Sequence, residues 1–242
     1  ARQGVEVEVV EKAERAGGKL REIPVGDARI DGGPTIFTMA WVLEELFADA
    51  GASLADYLTL RHLGRPRVTL KLALSLDGCI ALADGTSKWI TGEAARGHVH
   101  AMRARHDAIL VGGGTWRADR PRLDVRLPGL EARSPQRLVL TRGVQPEGTT
   151  VINEPSDIAT LEGVLSVYVE GGSGAASAFL EADLVDELHL YRAPIVIGDG
   201  LRALGPLGLE GTEGLDKAHS RWERGFSCQL GSDSFTAYQR IR

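Results

Sequence analysis

The sequence predicts an α/β fold, a mixed sheet flanked by helices, and three observations carry that prediction. Two short apolar runs, residues 108–111 and 165–169, each end in glycines: Gly112, Gly113 and Gly114 after the first, Gly171, Gly172 and Gly174 after the second. The second cluster opens at once into an alanine-rich helical stretch at 175–181. Beyond residue 186 strand-like runs follow one another with little helical pattern between them, so the sheet is expected to finish antiparallel. A buried strand that ends in glycine brings backbone close to a phosphate-bearing ligand, or merely relieves a tight turn. Both readings stay open for Gly112, Gly113 and Gly114 taken alone.

Composition narrows the function classes. The 242 residues suit one large domain, or a domain and a fragment, with a core that needs no staples. Glycine is enriched, with 30 residues, and the net charge of −5 argues against a nucleic-acid binder with a general basic surface. Cys79 and Cys228 match no metal or redox spacing and read as free thiols of a reducing, cytoplasmic compartment. No apolar run is long enough for a bilayer and no signal peptide is visible, so no membrane partner is expected. The chain opens on Ala1 and enters a strand pattern almost at once, which reads as a start that lies further upstream.

Residues 4–11 alternate and then turn continuously apolar, as a strand ending in Glu11 would, with Ala16, Gly17, Gly18 and Lys19 after it. Ile30, Asp31, Gly32, Gly33, Pro34 and Thr35 precede an amphipathic helix whose stripe is Met39, Val42, Leu43, Leu46 and Phe47, with Gly51 placed to end it. Gly64, Arg65 and Pro66 mark a junction. Residues 68–76 then read as a buried strand with one interior lysine, Lys71, costly unless paired and therefore turned to a site. Asp77 and Gly78 make a turn, and 79–82 continue apolar. Asp84 and Gly85 make another. Thr91 is expected to cap a helix over 93–105 that buries Ala95, Val99 and Met102 and carries Arg103 at its edge. His98, His100 and His106 have no metal-ligand spacing and read as surface or core-edge residues.

Gln136–Leu140 is a further strand, residues 143–163 read as loop, and 165–169 deliver Glu170 to the second glycine cluster. Its strand–glycine–helix order supplies free backbone N–H groups and a positive helix end for a phosphate. Strands are expected at 186–191 and 194–197, then a glycine-rich loop through Gly214, then short strands from His219 to Ile241 around Arg224-Gly225 and Gly231-Ser232.

Two family resemblances follow from motifs already quoted. Residues 4–63, through VVEKAERAGGK, IDGGPTIFTM and the LF-x-x-x-G helix, resemble the amino-terminal part of FAD-dependent carotenoid (phytoene-type) desaturases. That resemblance would put Glu11 on the ribose of FAD. The G-x-G-x-x-G loop that seats the pyrophosphate is absent, so this incomplete FAD-binding-type fragment is expected to bind no FAD. Residues 65–242 resemble the 5-amino-6-(5-phosphoribosylamino)uracil reductase domain of bacterial riboflavin biosynthesis, of dihydrofolate-reductase-like fold. The motifs TLKLALSLDG, DGTSKWITG, DAILVGGGTWRADRPRLDVR, SVYVEGGSGAASAFL and YRAPIVIG occur in family order. The chain thus divides at 1–64 and 65–242.

The resemblance implies NADPH as hydride donor, a phosphorylated pyrimidine as substrate and a homodimer. It puts Ala73, Trp89, Thr115, Asp119 and the helix start at Gly172, Ser173, Gly174, Ala175 and Ala176 on the cofactor. Ser87, Arg103, Leu123, Arg126 and Glu170 would contact substrate, with Arg103 and Arg126 able to fork onto a phosphate. Lys71 and Glu170 are the candidates for proton transfer in ring opening. Members of that family often carry another strand and helix where 143–163 is short, so an incomplete sheet edge and adenosine pocket are expected here. No H-x-E or P-C-x-x-C occurs, so neither a deaminase nor a metal is expected. The alternatives are a related reductase for another phosphorylated substrate, or a fused or truncated product impaired in catalysis.

Overall fold

The computed structural model describes residues 22–25, 28–31, 40–49, 53–212, 214 and 221–241, and the chain divides into two compact units, Ala1–Ala55 and Asp56–Arg242. In the first unit β1 (Glu22–Val25) and β2 (Ala28–Asp31) pair as an antiparallel hairpin, Ile23 opposite Ile30, and helix α1 (Ala40–Asp49) follows. The helix was expected. The hairpin was not, although Gly26-Asp27 between two strand-like runs is a turn signal. Leu46, assigned to the buried stripe of α1, is exposed. The expected strand at 4–11 with Glu11, the glycines at 17 and 18, and the segment at 32–35 lie outside the described residues.

Helix α2 (Leu54–Leu63) falls mostly in the second unit, ahead of the sequence boundary at 64. Gly64 ends it with a φ of +65°, and its N–H donates to the Leu60 carbonyl at 3.0 Å, a helix stop that suits only glycine well. Then come β3 (Arg67–Leu74), β4 (Cys79–Ala81), α3 (Glu93–Arg103), β5 (Ala108–Gly112), α4 (Gly113–Asp119), β6 (Gln136–Leu140) and β7 (Thr150–Ile152). They are followed by β8 (Ser166–Val169), α5 (Ser173–Glu181), β9 (Glu187–Arg192), β10 (Leu201–Arg202), β11 (Trp222–Leu230) and β12 (Asp233–Arg240).

Eight strands form one sheet in the order β11-β12-β9-β3-β8-β5-β6-β7. Every pairing from β9 to β7 is parallel, and β12 adds antiparallel to β9 and to β11. Strand alternation divides the core between the two faces. Val68, Leu70, Leu72, Leu110, Val167 and Phe179 belong to one buried cluster, which includes the inner residues of α5. The opposite face buries Tyr168, Tyr191, Phe235 and Ala237 with Ala95 and Val99 of α3, and Ile109, Val111 and Val139 with Leu123. Each fully buried Val, Leu or Phe stabilises the fold by roughly 1.5–3 kcal/mol, so this two-sided burial outweighs any local preference.

In the larger unit three expected segments run differently. Residues 143–163 are not plain loop. They hold β7, parallel to β6, and a 3-10 helix Pro155–Thr160 whose Ile158 is fully buried. Glu154 and Asp157 cap that helix reciprocally, and three residues of strand are too few to show a period. Residues 194–197 form no strand: Leu76 N–H donates to the Ile195 carbonyl at 2.8 Å, and Asp77 collects the N–H groups of Ile197 and Gly198. The finish is one long hairpin, with a register shift between Arg224 and Ser227 and a turn at Gly231 (φ +69°), rather than several short strands.

Candidate functional site

A cavity of about 610 Å³ opens at the carboxyl ends of β3, β5 and β8, where β8 sits between the other two. Open α/β sheets bind ligands at such strand ends, because loops there diverge to leave a crevice. The glycines shape one wall. Gly112 leads directly into α4, and Gly172 precedes α5 with no side chain capping it, which leaves first-turn N–H groups of α5 for a ligand. Ser173, Gly174 and Ala175 line the cavity. The two turns are locked together, since Gly172 N–H donates to Thr115 Oγ1 at 3.1 Å.

Close approach explains why glycine occupies these places. A Cβ on Gly171 would run into the Cβ of Ala175, and one on Gly112 would stand 3.3 Å from it. A Cβ on Gly113 would lie 2.9 Å from Thr141 Oγ1. For two of the three residues of the first cluster the structure adds a third reason for glycine, close packing. Gly112 and Gly113 permit tight packing of strand ends and helix starts around the cavity, whereas Gly114 has open space around it.

The other wall is charged. Lys71 projects from the middle of β3 with Nζ 3.6 Å from Glu170 Oε2. Arg103, from the last turn of α3, holds the same carboxylate through Nε at 2.6 Å and Nη2 at 3.1 Å, while Nη1 donates to the Asp124 carbonyl at 2.9 Å. Burial alone would push the Glu170 carboxyl up, but Lys71 and Arg103 outweigh it and hold the carboxyl below the usual glutamate value. A buried carboxylate between two cations is stable only as a set, because removing either partner strands a charge. Arg103 lines the cavity with its Nε–Nη2 edge given to Glu170, and one N–H on each of Nη1 and Nη2 is left over. Arg126 is half-exposed, its Nε 3.5 Å from Asp124 Oδ1.

The loop from Asp84 to Thr91 forms the rim. Trp89 is 65% exposed, with the Arg96 guanidinium 4.5 Å above its ring, and Lys88 reaches Asp119 at 3.5 Å. Thr91 does not cap α3. Gly92 holds that place, and its N–H donates to Asp233 Oδ2 at 2.6 Å, a partner 141 residues away that local sequence cannot indicate. The structure brings Lys71, Ala73, Ser87, Trp89, Arg103, Thr115, Asp119, Arg126, Glu170, Gly172, Ser173, Gly174 and Ala175 to one cavity. It does not bring Leu123 or Ala176 there: Leu123 is buried with Ile109, Val111 and Val139, and Ala176 with the cluster under α5.

Sequence reasoning missed Lys88, Arg96 and His100, which also line the cavity. Arg96 and His100 lie one turn and two turns into α3, on the side of Arg103, so helical spacing was the available signal. His98 Nδ1 and Tyr191 Oη are 2.8 Å apart, and His106 spans the Met102 carbonyl and Thr69 Oγ1 at 2.7 and 3.1 Å. Among the described residues no group of three or more His, Cys, Asp or Glu could hold a metal ion, and no helix is long and apolar enough to cross a membrane.

Comparison with known proteins places this geometry. Residues 66–231 match the RibD C-terminal domain family, and residues 1–71 match the family of flavin containing amine oxidoreductases. The riboflavin biosynthesis protein RibD of Corynebacterium ammoniagenes is 41% identical over 168 residues, covering 63% of this chain and 50% of that protein. The chain spans about half the length of the curated relatives it matches. Acinetobacter baumannii RibD superposes with a TM-score of 0.68 at 26% identity, covering 82% of this chain and 68% of that one. Dihydrofolate reductase from Enterococcus faecalis, complexed with NADP(H), shares the fold at a TM-score of 0.52 and 16% identity, covering 73% of this chain and 97% of that one. With a matched region that holds seven of the eight strands of the sheet, the glycine turns and the charged wall, the chain belongs to the RibD C-terminal domain family.

Proposed function

We propose that residues 65–242 are an NADPH-dependent reductase that converts the ribosyl group of 5-amino-6-(5-phosphoribosylamino)uracil to ribityl. The observation that carries the reading is the buried Lys71–Glu170–Arg103 set facing the glycine turns across one cavity. The glycine wall fits a nicotinamide dinucleotide, since Gly112 and Gly171 leave only backbone beside Ala175 and the start of α5 is uncapped. When bound, NADPH supplies the hydride that reduces C1′ of the sugar. Ser173, Gly174 and Ala175 offer N–H groups to its phosphates, Thr115 fixes the turn beside them through the Gly172 N–H, and Trp89 walls the nicotinamide side.

Proton transfer belongs to the charged wall. Glu170 is held ionised by its two cations, so it suits the role of anchor better than that of acid. Lys71 is then the donor: its ammonium gives a proton to the ring oxygen as the C1′–O bond breaks, and the exocyclic nitrogen lone pair forms C=N. One hydride, added to C1′ of that C=N, and one proton are consumed, and the opened ribityl chain stays bonded to the exocyclic nitrogen. Ser87, Arg103 and Arg126 hold the substrate, the arginines setting the charge for a phosphate. The proposal includes a homodimer. Leu76, Ile195 and Val196 lie exposed on segments joined by a backbone hydrogen bond, and they leave an apolar strip.

The test is NADPH oxidation by the full chain with and without the phosphoribosylamino-uracil, with NADH run alongside. Substrate-dependent oxidation that prefers NADPH is expected. Oxidation only with another phosphorylated sugar-amine would move the substrate. No oxidation with any would leave the impaired fusion product as the reading.

A further inference from the structure

His100 lies one turn before Arg103 on α3, and its half-buried ring lines the cavity in which Arg103 and Arg126 stand. The backbone nitrogen of Arg126 is 3.3 Å from Nδ1. A backbone amide can only donate, so Nδ1 accepts and the ring's proton sits on Nε2. One tautomer is thereby set before any ligand arrives. The groups that face the ring are Arg103 and Arg126 as cations, Glu170 as the anion and the Asp124 carbonyl, to which the ring N–H donates, while Arg96 and Lys71 line the same cavity. Burial, and then the two arginines, hold the imidazole below the ordinary histidine value, so it is neutral near pH 7.

Arg103 contributes charge to this corner, yet each of its nitrogens already donates to Glu170 or Asp124. One N–H on each of its two Nη atoms stays unspent, so an anion entering there finds directed donors on Arg103, Arg126, Ser87 and His100. We propose that His100 is a further phosphate contact, a neutral Nε2 donor that passes from the Asp124 carbonyl to the phosphate and whose ring the Arg126 amide orients, and that it selects phosphorylated over dephosphorylated substrate. The inference rests on reading the cavity as the reductase site. It also gives Arg126 two roles, a side-chain cation and a backbone anchor.

Two conservative variants separate the ring's two nitrogens. His100→Asn keeps an oxygen close to the Nδ1 position and loses the outer donor, whereas His100→Gln places an amide N–H near Nε2. Asn is expected to raise KM for the phosphorylated substrate roughly ten- to a hundredfold, the worth of one hydrogen bond to a charged group. kcat should be unchanged, because a contact kept from ground state to transition state acts on binding alone. Gln should recover most of the loss. With the dephosphorylated counterpart both variants should match the parent chain. Calorimetry with ribose 5-phosphate, without cofactor, should give the same order of Kd values. An equal penalty on phosphorylated and dephosphorylated substrate, or unchanged ribose 5-phosphate binding in His100→Asn, would overturn the assignment. If the parent chain binds ribose 5-phosphate but oxidises no NADPH, the reductase reading fails while the calorimetry still decides the role of His100.

Discussion

Glu170 decides how the charged wall divides its work. Its burial argues for a neutral acid, but Lys71 and Arg103 tip the balance to a carboxylate. Lys71→Met is expected to lower turnover by roughly 10²–10⁴, the usual worth of a positioned proton donor, with NADPH binding little changed. Glu170→Gln should lower turnover too, and it should also unfold at lower denaturant, since Arg103 would lose its buried counter-charge at a cost of about 3–5 kcal/mol. Near-normal turnover in Lys71→Met would remove that residue from the proton step. The pH dependence has a definite sign. A depressed carboxyl contributes stability that is present above its unfolded value of 4.5 and is lost as pH falls through the lower folded value, so this set weakens only in acid.

At the scale of elements, helix α3 is tied to the sheet by His106, just past its end. The Met102 carbonyl can only accept, so His106 donates from Nδ1, and Nε2 accepts from the Thr69 hydroxyl. Burial lowers this imidazole from 6.5 to about 4. Between those values the unfolded chain takes up a proton and the folded one does not. Stability is therefore full above pH 6.5 and declines towards pH 4, by about 1.4 kcal/mol per pH unit at most from this group. Denaturant midpoints measured from pH 7 to 4 should show the slope, and His106→Gln should flatten it. The glycine turns allow a second comparison. Gly171→Ala should cost about 1–3 kcal/mol through its clash with Ala175 and weaken nicotinamide binding. Gly97→Ala, in open space within α3, should instead stabilise by about 0.5–1 kcal/mol.

At the scale of the whole molecule, every residue proposed for catalysis lies in the unit Asp56–Arg242. Deleting residues 1–55 should therefore leave kcat and both KM values within about twofold, the spread expected when no contact to substrate or transition state is lost. A collapse of turnover in that deletion would show that the first unit has a part in the site. The apolar strip of Leu76, Ile195 and Val196 makes its own prediction. Val196→Lys should shift the chain to a smaller species in light scattering if those residues meet a second copy, and leave the mass unchanged otherwise.

Much of this was legible before any coordinates. Strands with buried runs and glycine ends, such as β5 and β8, state their own nature, because apolar continuity and glycine are local signals. Lys71 could be singled out because a lysine inside such a run needs a partner. The partner itself was not indicated until the fold set Glu170, just past the neighbouring strand β8, 3.6 Å from it. What stayed hidden depended on distance along the chain or on shortness. Asp233 holds the start of α3, β7 is three residues long, and Leu123 and Ala176 turn into the core rather than the cavity. The sequence by itself determined the long buried strands β3, β5, β6, β8 and β9, the glycine turns and the residues able to carry charge or protons. Only the tertiary structure decided that Arg103 spends its fork on Glu170 and that His100 is oriented by Arg126, because hydrogen-bond partners are chosen by proximity in space.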